Sequence, residues 1–232
     1  MLHDVRAEVP SRGEKAVTKP TAYVDDPERA VRQMTSSEVI RDGSPLRVEE
    51  HEGHRVLVAD GVILSVAVTD TDPPFGYWTA MLPEGAPRTA LLLGLGAGTL
   101  AHLLARRFPG IRMVGVDIDS RLIEFARRHF DLALPNLEIV IGDAFSYAAG
   151  CRNQFDYVAV DLFCGHAFQR GAVARPFLRR LKTLAEPSGE IAVNLFKDRR
   201  SEVYVGRLAR VLTIRRVERL VCNVVVHCGA GQ

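Results

Sequence analysis

Blocks of one charge are missing from this 232-residue chain: 30 Lys and Arg are interspersed with 28 Asp and Glu, for a formal net charge of +2. Without a basic run, no electrostatic footprint for nucleic acid or an anionic membrane is expected. Cysteine is scarce as well. Cys151, Cys164, Cys222 and Cys228 show no C-x-x-C spacing, and "MLHDVRAEVPSRGEK" does not look like a secretory leader, so reduced thiols and a cytoplasmic setting are expected. Cys222 and Cys228 flank His227 in "VCNVVVHC". Strand alternation there would throw side chains onto opposite faces, which favours small core residues over a metal site. The longest uncharged run, Ala90 to Ala105, is broken by glycines and His102 and falls short of the ~20 apolar residues of a membrane span. No GK[ST] phosphate loop, internal repeat or low-complexity tract occurs.

The apolar fraction of 47% and charged fraction of 25% are those of a folded globular chain, long enough to bury its own core. Residues 1–37 are polar and hold Pro, Gly and mixed charge, so a loosely ordered arm is expected. Residues 38–84 read as a small antiparallel β subdomain: "PLRVEEH", "HRVLVA" and "VILSVAV" are separated by Glu52-Gly53 and Asp60-Gly61. Asp-Gly between alternating apolar runs predicts a hairpin, because glycine accepts the positive φ of primed turns. Over residues 85–232 strand-length apolar runs ("TALLLG", "RMVGVD", "LEIVIGD", "DYVAVD", "EIAVNLF") alternate with helical patterns. That texture predicts an α/β fold with a parallel sheet covered on both faces. Asp119 or Ser120 should cap the second helix, with Leu122, Ile123, Ala126 and Phe130 as its buried stripe.

Directly after the first of these strands stand Gly94, Gly96 and Gly98. Glycine is expected where the backbone turns tightly or something approaches it closely. In an open parallel sheet ligands bind beyond the carboxyl ends of the strands, and the helix starting near Thr99 would offer free N–H groups to an anion. Acids end the following strands: Asp117, Asp143 and Asp161. Asp117 lies about twenty residues past the glycines, a spacing at which a carboxylate reaches ribose hydroxyls. Thr99 stands where a dinucleotide fingerprint needs a sixth-position Gly or Ala, which counts against NAD.

Together, the GxGxG loop, Asp117, "GDAF" and Asp161 resemble the class I S-adenosylmethionine-dependent transferases. The meander narrows this to the spermidine synthase family, the polyamine aminopropyltransferases. "RVLVADGVILS" is similar to that family's L-D-G-x-x-Q hairpin, "FGYWTAML" to S-Y-H-E-M, "GLGAG" to G-G-G-D-G, "VDID" to V-E-I-D and "VDLFCGHA" to V-D-x-x-D-P. The resemblance runs from about Pro45 to the C-terminus. It implies a seven-stranded Rossmann-like sheet and S-adenosylmethionine, or its decarboxylated form, as cofactor. In that scheme Asp117 holds the ribose, Asp143 with Ala144 receives the adenine amino group, Ile118 flanks the ring, and Gly94, Gly96 and Gly98 face the aminoacyl end. Asp161 orients or deprotonates the acceptor, Tyr77 positions it, and His166 is a second candidate base. Cys164 is not expected to act as a nucleophile, since the donor supplies the leaving group. A small-molecule acceptor is implied, with no nucleic acid, membrane or metal. A homodimer fits both the family and the open sheet edges.

The departures from the family bear on the acceptor. Cys164 replaces the second loop Asp, Ala97 the glycine-loop Asp, Leu64 the hairpin Gln, and Trp78 and Thr79 the His and Glu after Tyr77. A polyamine's ammonium groups call for such acceptors. Ala97 removes a carboxylate that would attract the decarboxylated donor and repel the intact one. The expected function is therefore methyl transfer to a small molecule. Aminopropyl transfer and a non-catalytic nucleoside-binding homologue are the alternatives.

Overall fold

Glu52 and Gly53 (φ 51° and 79°) and Asp60 and Gly61 (φ 51° and 72°) all take the left-handed backbone, the pair of positive φ values that closes a tight two-residue hairpin. They join β2 (Pro45–His51), β3 (His54–Ala59) and β4 (Val62–Val66) into an antiparallel meander, with the short β1 (Glu38–Val39) pairing on β2. The structure is a computed structural model and describes residues 38–39 (backbone), 45–69, 74–164 and 167–231. The expected N-terminal arm, residues 1–37, and His166 lie outside the described residues. Along the β3–β4 pairing the register slips between Leu57 and Val58, so Leu64 opposes no partner residue. Such a bulge re-aims a side chain, and here Leu64 reaches a cavity wall.

The larger sheet is built from β5 (Thr89–Leu93), β6 (Arg112–Asp117), β7 (Leu137–Ile141), β8 (Phe155–Val160), β11 (Ala185–Phe196), β12 (Thr213–Arg219) and β13 (Asn223–Gly229). Its spatial order is β12-β13-β11-β8-β5-β6-β7. Pairing is parallel from β11 to β7 and antiparallel at β13 and β12. The helices are α1 (Thr99–Arg107), α2 (Ser120–His129), α3 (Ala144–Gly150), α4 (Arg175–Leu184) and α5 (Ser201–Ala209). A two-stranded ribbon, β9 (Phe163–Cys164) with β10 (Ala167–Phe168), and a short 3-10 helix follow β8.

Successive strand residues go to opposite sides, and both sides are dry. Ala90 and Leu92 join one buried cluster with α1, α2 and the meander, whereas Leu91 and Leu93 join another with α3, α4 and α5. This is why the strands read as unbroken apolar runs. Asp119 caps α2, its Oδ1 accepting from the N–H groups of Arg121 and Leu122, and the stripe Leu122, Ile123, Ala126 and Phe130 is buried as expected. Cys228 is fully buried, but Cys222 is half-buried on the cavity wall, which corrects its reading as a core residue. His227 is a core group whose Nδ1 sits 2.5 Å from Glu190 Oε1. Among the described residues no helix is long and apolar enough to cross a membrane.

Candidate functional site

Beyond the carboxyl ends of the parallel strands, between sheet and meander, lies a cavity of about 570 Å³, within the ~300–1,000 Å³ range of ligand pockets. The sheet supplies its polar groups in strand order. Asp143 follows β7, Asp117 ends β6, Gly94 follows β5, Asp161 follows β8, Asn194 lies in β11 and Asn223 opens β13, and all six line the cavity. At strand spacings of ~4.8 Å this row extends about 14 Å from Asp143 to Asp161, so it is long enough for an elongated ligand.

Asp117 accepts at Oδ2 from the N–H groups of Leu95 (3.1 Å) and Gly96 (2.9 Å), and at Oδ1 from Asp119 N–H (3.0 Å). Burial raises its carboxyl above the ordinary value, while those three N–H groups pull it back. Three of about four lone-pair positions are thereby used, so Asp117 shapes the glycine loop and keeps room for one more donor. Asp143 caps α3, accepting at Oδ1 from Ser146 N–H (2.8 Å). Its Oδ2 has no partner among the described residues. Ala144 lines the wall beside it, and Ile118 stands at the cavity with 47% of its surface exposed, unusual for so large an apolar side chain.

The glycines are used differently from the sequence expectation. All three have positive φ (90°, 56° and 87°), but protein atoms already occupy the space that a Cβ would take. At Gly94 the nearest atom is the Asp161 carbonyl oxygen (2.1 Å), at Gly96 it is Ser65 Oγ (3.0 Å), and at Gly98 it is Leu132 Cδ1 (2.3 Å). Gly94 and Gly96 still line the cavity, whereas Gly98 does not. Ala97 is likewise buried off the wall, its N–H donating to Ser65 Oγ (2.8 Å). Ala97 itself therefore makes no contact with the cavity wall.

Across the cavity Asp161 is held on both oxygens. Tyr77 Oη donates to Oδ2 (2.8 Å) and Asn194 Nδ2 to Oδ1 (2.8 Å), while Asn223 Nδ2 donates to Asn194 Oδ1 (3.0 Å). Burial pushes Asp161 up to about 6 against the pull of these two donors, with Asp117 adding repulsion. Burial, followed by the Asp161 charge, holds the Tyr77 phenol well above its ordinary value, so it stays a donor. Tyr77 stacks on the buried Trp78 at 4.3 Å between ring centroids. Their segment is tied to the sheet by carbonyls: Tyr157 Oη donates to Met81 O, His227 Nε2 lies 2.7 Å from Ala80 O, and Arg216 Nη2 donates to Leu82 O (3.3 Å).

Asn194, Asn223 and Phe145 line the cavity without having been singled out as site residues from the sequence, and so does Cys222, which reads there as a core residue. Asn194 carried a usable signal: it is the one polar side chain within the apolar "IAVNLF" run, and a fully buried amide needs partners. The other three look like ordinary loop or strand residues.

Residues 90–189 match a methyltransferase domain family. The chain is 28% identical over 141 residues to a polyamine aminopropyltransferase of Neisseria meningitidis, an overlap covering 60% of this chain and 54% of that one. The chain spans about half the length of the curated relatives it matches. Among solved structures, a probable spermidine synthase from Corynebacterium glutamicum superposes with a TM-score of 0.71 at 18% identity, over 86% of this chain and 81% of that one. A spermidine synthase in complex with the transition-state analogue AdoDATO gives 0.67 at 16% identity, over 84% and 73%. These likenesses agree: residues 90–189 match a methyltransferase domain, the chain is similar in sequence to polyamine aminopropyltransferases over part of its length, and its fold is that of the spermidine synthase structures.

Proposed function

We propose that the chain is an S-adenosylmethionine-dependent transferase that methylates a small-molecule acceptor. The observation that carries this reading is the row of polar groups contributed by adjacent strands to one cavity, ending at a doubly held carboxylate. The wall suits the cofactor: Asp143 Oδ2 would accept the adenine amino hydrogen, Ile118, Ala144 and Phe145 would flank the base, and Asp117 would take a ribose hydroxyl at its remaining position. Gly94 and Gly96 would border the aminoacyl end. When bound, S-adenosylmethionine supplies a sulfonium methyl carbon activated for displacement, so the acceptor lone pair forms the new bond as the carbon–sulfur pair returns to sulfur.

The protein's own work is then alignment and one proton transfer. Asp161 accepts the acceptor's proton at the carboxylate, Tyr77 and Asn194 fix the carboxylate plane, and Trp78 and Phe75 keep water from the reacting face. Aminopropyl transfer is the second reading, favoured by the relatives' names and by the same carboxylate. Mass spectrometry separates the two. With amine acceptors, the intact donor should yield S-adenosylhomocysteine; methylthioadenosine formed from the decarboxylated donor alone refutes methyl transfer, and no turnover of either donor favours a nucleoside-binding homologue.

A further inference from the structure

The two halves of the cavity are walled differently. Among the described residues, its carboxylates are Asp117, Asp119, Asp143 and Asp161. The first three lie on the β6–β7 side and accept main-chain N–H groups of the glycine loop, α2 and α3. Of these four, Asp161 is the one in the other half, where the wall also carries Leu64, Phe75, Trp78, Phe196 and Cys222 and the neutral polar groups of Tyr77, Gln169, Asn194 and Asn223. The amides of Asn194 and Asn223 are already turned toward one another and toward Asp161. An ammonium taken out of water needs a counter-charge or a full set of acceptors. Among the described residues this half offers one carboxylate, enough for one ammonium; its other polar groups are neutral, and the remainder of its described surface is complementary to carbon.

Resting on the donor reading above, we propose that the acceptor is a monoamine on a compact apolar or aromatic body, its nitrogen against Asp161 and its carbon framework against Leu64, Phe75, Trp78, Phe196 and Cys222. A diamine's second ammonium would find no second counter-charge among the described residues, and that uncompensated charge is what disfavours it. Cys222 and Cys164, both on the wall and neither fully buried, set the selectivity by standing where a carboxylate would pair a second ammonium.

The test is calorimetric titration of the protein saturated with S-adenosylhomocysteine, using 2-phenylethylamine and 1,4-diaminobutane as probes. The wild type should bind the phenylethylamine at least tenfold more tightly. Cys222→Asp should reverse the preference or erase it; Cys164→Asp, at an exposed position, supplies the same readout if the first variant folds poorly. Equal or tighter binding of the diamine by the wild type overturns the monoamine assignment, as does failure of both amines to bind the nucleoside-loaded protein. In either case the donor reading stands. Failure of S-adenosylhomocysteine itself to bind overturns both.

Discussion

Asp161 owes its properties to opposed influences: burial drives its carboxyl up to about 6, while Tyr77 and Asn194 stabilise the ionised form by hydrogen bonding. A base must be ionised to take a proton, so kcat/KM should fall as pH drops through about 6, well above the ordinary carboxylate range. Asn194→Leu removes a donor that lowers this value, so the acid limb of the profile should move to higher pH; an unmoved limb would show that Asn194 serves packing alone. Asp161→Asn should lower turnover by about 10²–10⁴-fold, the usual contribution of a general base. It should leave S-adenosylhomocysteine affinity unchanged, and retained turnover would remove Asp161 as the base. Asp161 was legible in the sequence because it ends a strand in the same way as Asp117 and Asp143. Its partner Asn194 stood out only as the one polar side chain in an apolar strand, a signal that says the amide needs partners but not which ones.

The glycine loop shows at the element scale how local freedom is spent. Gly94 and Gly110 share a left-handed φ near 90°, but a Cβ at Gly94 would meet the Asp161 carbonyl at 2.1 Å, whereas Gly110 faces open space. Gly110→Ala should therefore cost about 1–2 kcal/mol from backbone conformation alone. Gly94→Ala should cost clearly more in denaturant unfolding and should displace Asp161; equal costs would mean that the loop relaxes freely. The hairpins at Glu52-Gly53 and Asp60-Gly61 were readable from turn chemistry, and helix α2 from its cap and stripe. Two features escaped. The bulge at Leu64 is a one-residue slip that alternation does not encode, and β11 begins at Ala185, ahead of Pro187 and Gly189, residues that argue against a strand. Its pairing with β8 is irregular there.

For the whole molecule, the site is a joint between two sheets. The meander contributes Leu64 and Ser65, the connecting segment Tyr77 and Trp78, and the large sheet its aspartates. Docking is partly polar: Thr99 Oγ1 donates to Val66 O (2.8 Å) and Ser65 Oγ receives Ala97 N–H. Tyr157→Phe, which strips the donor from the buried Met81 carbonyl, should lower stability by about 1–3 kcal/mol, the cost of an unsatisfied buried group. It should also loosen Tyr77 and so raise KM for the acceptor, read by steady-state kinetics alongside thermal melts; an unchanged KM would separate the tether from the site. The overall architecture was legible because the change of period from 2 to 3.6 recurs along the chain. The assembled cavity was not, since which elements meet across it depends on packing over long sequence separations.

The most direct test of the central claim, that the rim over β5, β6 and β7 cradles an adenosyl group, is calorimetric titration of S-adenosylhomocysteine into wild type and Ile118→Asp. Ile118 is half-exposed at the wall, so the variant should melt as the wild type does without ligand. We expect saturable binding by the wild type and at least tenfold weaker binding by the variant, about 1.4 kcal/mol. No heat from the wild type, or equal affinity in both proteins, would contradict the account.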